Sequence, residues 1–141
     1  MTNAFELFDH TADLGVRARA ESLPELVRQS IEGLYAAIGT LVIDAATPPT
    51  SRRIEIRGDD PALLLRDLLD ELLYAFEHDR LRTRSVEVLE FSSSRLMVQA
   101  DFGPLDAQCS ALEREVKAVT YHELAVRPIA GGYEAVFIVD I

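Results

Sequence analysis

Cysteine is nearly absent from this chain of 141 residues: Cys109 stands alone. No intrachain disulfide can form, and no CxxC pair offers a structural zinc site. Long apolar runs are missing as well, and none would span a bilayer. The opening MTNAFELFDH is acidic and interrupted by polar residues, so it does not read as a signal peptide. The expected compartment is the cytoplasm. Positive charge is scarce: 14 Lys+Arg face 24 Asp+Glu, a net charge of −10. Nucleic-acid affinity comes largely from cationic neutralisation of phosphates, so tight direct binding of RNA or DNA is not expected. A basic protein partner or a divalent cation suits the sign. Solubility alone accounts for the acidity equally well.

The familiar catalytic signatures are also missing. There is no GxxxxGK[ST] loop, no GxGxxG, no HExxH, no GxSxG and no EF-hand loop. What is present is an ordinary globular composition, 48% hydrophobic and 27% charged, enough for one domain over residues 1–141 with its own core.

Periodicity supplies the elements. Ala4–His10 reads as a strand, and Gly15 as a break. Val16, Ala18 and Ala20 alternate with charged residues, as in a half-buried strand. Ser22 and Glu25 form a capping box, with Pro24 in the first turn of a helix. Leu26, Val27, Ile31, Leu34, Tyr35 and Ile38 follow at helical spacing, up to Gly39. Arg53–Arg57 alternates as a strand. Asp59 or Asp60 then caps a second helix beginning at Pro61, whose stripe is Leu64, Leu65, Leu68, Leu69, Leu72, Leu73 and Phe76. Ser85–Phe91, Arg95–Phe102, Val116–Val126 and Tyr133–Val139 read as strands, while Leu105–Glu115 has no clear period. Two helices among roughly seven strands predict an α+β sandwich with a largely antiparallel sheet and both helices on one face.

Three segments stand out chemically. His10-Thr11-Ala12-Asp13-Leu14-Gly15 is a polar cluster between strands; its plainer account is a turn in which Asp13 bonds its own backbone. Val136–Ile141 ends in Asp140 and the terminal carboxylate of Ile141, two acidic groups on a strand that is apolar on both faces. A hard divalent cation would relieve their repulsion, and solvation of the strand end would do the same. In Glu115–His122, Lys117 shares a strand face with Val119 and Tyr121 and is either an edge-blocking charge or a contact residue. His122 lies on the opposite face.

These segments together resemble the archease family. The match rests on Phe8-Asp9-His10-Thr11-Ala12-Asp13-Leu14-Gly15, on Val116-Lys117-Ala118-Val119-Thr120-Tyr121-His122, and on an end of aspartate plus one apolar residue. The resemblance implies an accessory protein rather than an enzyme. Its partner would be an RtcB-type RNA ligase of tRNA splicing and RNA repair, helped to take up guanylate and to turn over repeatedly. It also implies a bound divalent cation, Ca²⁺ with Mg²⁺ as the alternative, held by Asp13, Asp140 and Ile141. Lys117 is implied in the same activity. Many members of that family carry histidine where this chain has Ser110. Two further readings compete. One is a metal-dependent hydrolase using Asp13 and Asp140, with His10 or His122 as base. The other is a small-molecule or calcium-sensing module; the missing EF-hand loop counts against a calcium sensor.

Overall fold

The computed structural model describes all residues, Met1–Ile141. In chain order the elements are β1 (Ala4–His10), β2 (Asp13–Ala20), α1 (Leu23–Ile38), β3 (Gly39–Thr40), β4 (Thr50–Arg57), α2 (Pro61–Asp79), β5 (Leu81–Phe91), β6 (Arg95–Pro104), β7 (Ala111–Leu112), β8 (Ala118–Val119), β9 (Ala125–Ile129) and β10 (Gly132–Asp140). No helix is long and apolar enough to cross a membrane.

Local chemistry sets the helix ends. Ser22 Oγ accepts the Glu25 N–H at 3.3 Å, closing the predicted cap of α1. Asp60, rather than Asp59, caps α2 by accepting the Ala62 N–H at 2.8 Å. Arg80 ends α2 in the left-handed region, its N–H returning to the carbonyls of Ala75 and Phe76.

All strand pairing is antiparallel. One sheet runs β1-β2-β10-β8, with β9 also on β10; the other runs β4-β6-β5; β3 and β7 form a small ribbon. The expectation that both helices cover one face of one sheet is therefore corrected, because the helices lie between two sheets. α1 packs on β1, β2 and β10 with one side and on β5 with another. α2 packs on β4, β5 and β6 and reaches β8 and β9. A small residue makes the contact with β2 close: a Cβ at Gly33 would meet Val16 Cγ1 at 2.5 Å. The Tyr35 hydroxyl accepts the buried Thr83 N–H at 3.1 Å, tying α1 to β5. Burial pushes the pKa of that hydroxyl up.

Three further expectations change. Val116–Val126 is not one strand: it divides into β8 and β9 around a turn. Thr120 Oγ1 accepts the His122 N–H at 3.2 Å, and Glu123 adopts φ 53°, so the chain reverses there. Gly15 does not break the chain but lies inside β2, under the ring of Phe8. A Cβ at that position would meet Phe8 Cζ at 2.2 Å. The uncalled stretch Leu105–Glu115 contains β7 and a turn in which the Asp106 carboxylate accepts the N–H groups of Gln108 and Cys109.

Even-numbered residues of β2 and odd-numbered residues of β10 face the helices: Leu14, Val16, Ala18, Phe137 and Val139 are all buried in one core with the α2 leucines. Leu68 is fully buried in mid-helix. Leu68→Ala should cost about 2–5 kcal/mol of stability, read by chemical denaturation.

The opposite face of this sheet carries a charged cluster far from the helices. Glu134 is 3% exposed and bonds Arg19 at 2.8 Å and Arg127 at 2.7 Å. Burial alone would raise its pKa, but the two guanidinium groups outweigh it and hold the carboxyl below its ordinary value. Its contribution is therefore complete above the ordinary glutamate range and is lost as pH falls through the lowered folded-state value. Because both arginines are half-exposed or more, Glu134→Gln should cost only about 1–2 kcal/mol at neutral pH. Melting curves from pH 7 to pH 3 should show wild type and variant converging.

Candidate functional site

The site grows from strand register. β2 and β10 pair Phe137 with Val16, Ile138 with Gly15 and Val139 with Leu14. One step further along that register lies Asp140 opposite Asp13. β1 pairs His10 with Asp13, and β8 pairs Ala118 with Asp140. His10, Asp13, Asp140 and Ala118 thus form one row across four neighbouring strands. Residues in a row share a face, and cross-strand neighbours lie about 4.5–5.5 Å apart at Cα. This is the open face, away from the helices.

The hairpin that makes the row is tight. Only Thr11 and Ala12 separate the strands, and Ala12 takes φ 61°, a region alanine rarely visits. The Asp13 carboxylate forms no Asx turn with its own backbone, contrary to the plainer expectation. Pairing of Asp13 in β2 turns the side chain toward His10, with Oδ2 3.8 Å from Nδ1. Asp13 and Asp140 are half-buried; Ile141 is exposed. No cationic side chain forms an ion pair with Asp140.

Lys117 is the only lysine of the chain, exposed and without an ion-pair partner. Its backbone N–H donates to the Asp140 carbonyl at 2.7 Å, which places it directly beside the carboxylate row. It also borders a groove of about 700 Å³, which Leu73 and Phe76 of α2 and its capping Arg80 also line. The predicted strand face shared by Lys117, Val119 and Tyr121 does not form, because β8 is only two residues long. Tyr121 instead stacks under Arg66, with the guanidinium 4.4 Å from the ring centroid.

His10 and His122, far apart in sequence, come together at this end of the sheet with ring centroids 5.2 Å apart. Glu123, which sequence reasoning passed over, joins them: Oε2 lies 3.6 Å from His10 Nε2 and Oε1 lies 4.0 Å from His122 Nε2. Nothing in the strand periodicity marks Glu123, since it acquires its place through an unpredicted turn. Cys109 is exposed, and its bond to the Asp106 carboxylate pushes its thiol pKa up, the opposite of an activated nucleophile. Ser110 Oγ accepts the Val42 N–H and donates to the Val42 carbonyl, a structural stitch.

Fold and site together define a small α+β protein whose polar residues gather at one end of an open sheet face. Comparison with known proteins makes this specific. Residues 5–141 match the model of the Archease protein family (MTH1598/TM1083), and the chain belongs to that family. The archease of Methanosarcina barkeri is 33% identical over 97% of this chain and 95% of its own length. That of Methanopyrus kandleri is 31% identical, over 97% and 99%. The solution structure of Methanobacterium thermoautotrophicum protein 1598 superposes with a TM-score of 0.74 at 27% identity, covering 98% of this chain and 99% of that one. A Thermotoga maritima protein, described as an archease and possible chaperone, shares the fold with a TM-score of 0.67 at 14% identity.

Like charges directly opposite across a strand pair destabilise the sheet. Without divalent cations, Asp140→Asn should therefore raise stability, by about 0.2–1 kcal/mol. Denaturation in the presence of a chelator is the measurement; a fall in stability would mean the two carboxylates do not face each other.

Proposed function

We propose that this chain is an accessory protein of an RtcB-type RNA ligase, acting in tRNA splicing and RNA repair, and not an enzyme in its own right. It promotes guanylylation of the ligase and its repeated turnover, by contact with the ligase and not with RNA. The observation that carries the reading is the row Asp13–Asp140 with Lys117 hydrogen-bonded to its end. These are the residues through which the chain resembles the archease family, and strand register gathers them from three distant parts of the sequence. The net charge of −10 supports a protein partner over a nucleic acid.

The donors at this end of the sheet fit a hard divalent cation. Asp13, Asp140 and the end of the chain at Ile141 offer only oxygen, which suits Ca²⁺ and also Mg²⁺. Such an ion supplies positive charge between carboxylates that otherwise repel. The chain's own part is to aim the groups: β2 and β10 fix the two aspartates, and the Lys117 N–H holds the Asp140 carbonyl. The Lys117 ammonium stays free, at the mouth of a groove. An unpaired ammonium beside an acidic row, with Arg80 and Arg114 lining the same groove, is a contact residue suited to an acidic or phosphate-bearing surface.

One observation favours the rival hydrolase reading. His10 lies beside Asp13, where a general base would stand. A single experiment separates the two. Guanylylation and multiple-turnover RNA joining by an RtcB-type ligase are measured with and without the chain, and phosphatase and nuclease activity is measured for the chain alone. Stimulation of the ligase with no hydrolysis is expected. Lys117→Ala should melt as wild type does, because the side chain is exposed, yet lose about tenfold or more of the stimulation, as loss of an interfacial charge pair would. Asp13→Ala and Asp140→Ala should lose stimulation and Ca²⁺ binding together. Full stimulation by folded Lys117→Ala would remove that residue from the contact.

A further inference from the structure

Two of the three histidines in the chain meet at the end of the open sheet face, His10 closing β1 and His122 in the turn after β8. The Glu123 carboxylate spans them. One ligand atom from each of His10, His122 and Glu123 lies within 4.8 Å of the other two. Tetrahedral coordination with bonds of about 2.0–2.1 Å holds donor atoms about 3.3 Å apart. Glu123 Oε2 lies 3.6 Å from His10 Nε2 and Oε1 lies 4.0 Å from His122 Nε2, near that spacing for each oxygen separately. His122 and Glu123 have side chains more than half exposed, with room to rotate toward His10.

The donors are held by the fold. His10 directs Nδ1 toward Asp13, and that nitrogen is buried without a hydrogen-bond partner. Its Nε2 faces Glu123. A ligating histidine usually has a carboxylate at one ring nitrogen and the metal at the other; Asp13 stands on that side of His10, at 3.8 Å, short of a hydrogen bond. The turn bearing the other two donors is tied down as well. Thr120 Oγ1 donates to the Ile138 carbonyl of β10 at 3.0 Å while accepting the His122 N–H. Glu123 holds φ 53°, costly for a residue with a side chain, and this turns its carboxylate back between the imidazoles.

We infer that His10, His122 and Glu123 form a second cation site, for a divalent transition metal of the zinc class. Two imidazoles and one carboxylate are borderline ligands that suit Zn²⁺ or Co²⁺ and select against Ca²⁺, which prefers an all-oxygen shell. Three protein ligands leave a fourth position open. The assignment is independent of the ligase reading and of any ion between Asp13 and Asp140, although His10 and Asp13 are neighbours in one row. It is tested without the ligase and can fail while both stand.

The test is calorimetric titration of the metal-free full chain with Zn²⁺, and optical titration with Co²⁺. One equivalent should bind, with Co²⁺ giving the visible absorption of a low-coordinate nitrogen and oxygen site. His122→Ala and Glu123→Gly should each weaken binding about tenfold or more. Glu123→Gly suits the left-handed backbone, so the variant should melt no lower than wild type. His78→Ala, at the far end of α2, should leave affinity unchanged. Millimolar Ca²⁺ should not displace the Zn²⁺. Absence of binding at millimolar Zn²⁺ would overturn the site, as would equal affinity of wild type, His122→Ala and Glu123→Gly, or displacement of Zn²⁺ by Ca²⁺.

Discussion

β10 is buried on both faces, and that requirement governs its pairing with β2. Phe137 and Val139 face the helices, while Ile138 is equally buried on the opposite side. Ile138 shares a row with Gly15 and Phe8, where the Phe8 ring lies over the glycine backbone and leaves no room for a Cβ. The row therefore closes in one register only. The next row outward is His10, Asp13 and Asp140. A slip of one residue would turn Asp140 toward the helices and Val139 toward water, exchanging the whole strand between faces. The carboxylate row thus inherits its geometry from an apolar row one step away. No contact among the polar residues is needed to set it.

The helix layer answers a different constraint. α1 buries Leu26, Ile31, Leu34 and Ile38, but also Ser30, Gly33 and Ala37. Small residues on a second side let a helix approach a sheet closely, so α1 presents two packing surfaces and lies between sheets instead of capping one. α2 does the same with a nearly continuous leucine surface. The result leaves the first sheet with one face wholly given to the core and the other free for charge. Alternation along β2 and β10 divides the labour residue by residue: even positions of β2 hold the fold, and odd positions carry Asp13, Arg17 and Arg19.

Much of this could be read from the chain alone, where one period dominated. Helix limits came within a residue or two because capping and proline signals are local: Ser22 with Pro24, Asp60 with Pro61. The strands β4 and β6 alternate clearly, and β1 loosely. The division of Val116–Val126 was illegible because Thr120 and His122 carry no strong turn signal; the reversal depends on a hydroxyl bond and on a glutamate forced to positive φ. The two-sheet arrangement was hidden for a similar reason, since helical periodicity reports one apolar stripe and is silent about small residues on another. Asp13, Asp140 and Lys117 could be singled out as residues. Their adjacency could not be derived from spacing, as it depends on which strands pair. Glu123 carried no signal at all.

Placement at the end of the sheet also explains how the fold tolerates the site. Two carboxylates about 4 Å apart repel by about 1 kcal/mol in water but several times more at lower effective dielectric. Deep in β10 such a pair would outweigh several buried methylenes. At the last residue of the strand, half-buried beside exposed Ile141, the repulsion stays near the lower limit. The end of the strand is therefore where the fold can place both aspartates at least cost. His10 stands in the same row, with one ring nitrogen turned to Asp13 and the other to Glu123. A row of groups that the fold neither requires nor strongly resists is free to be shaped by what it binds.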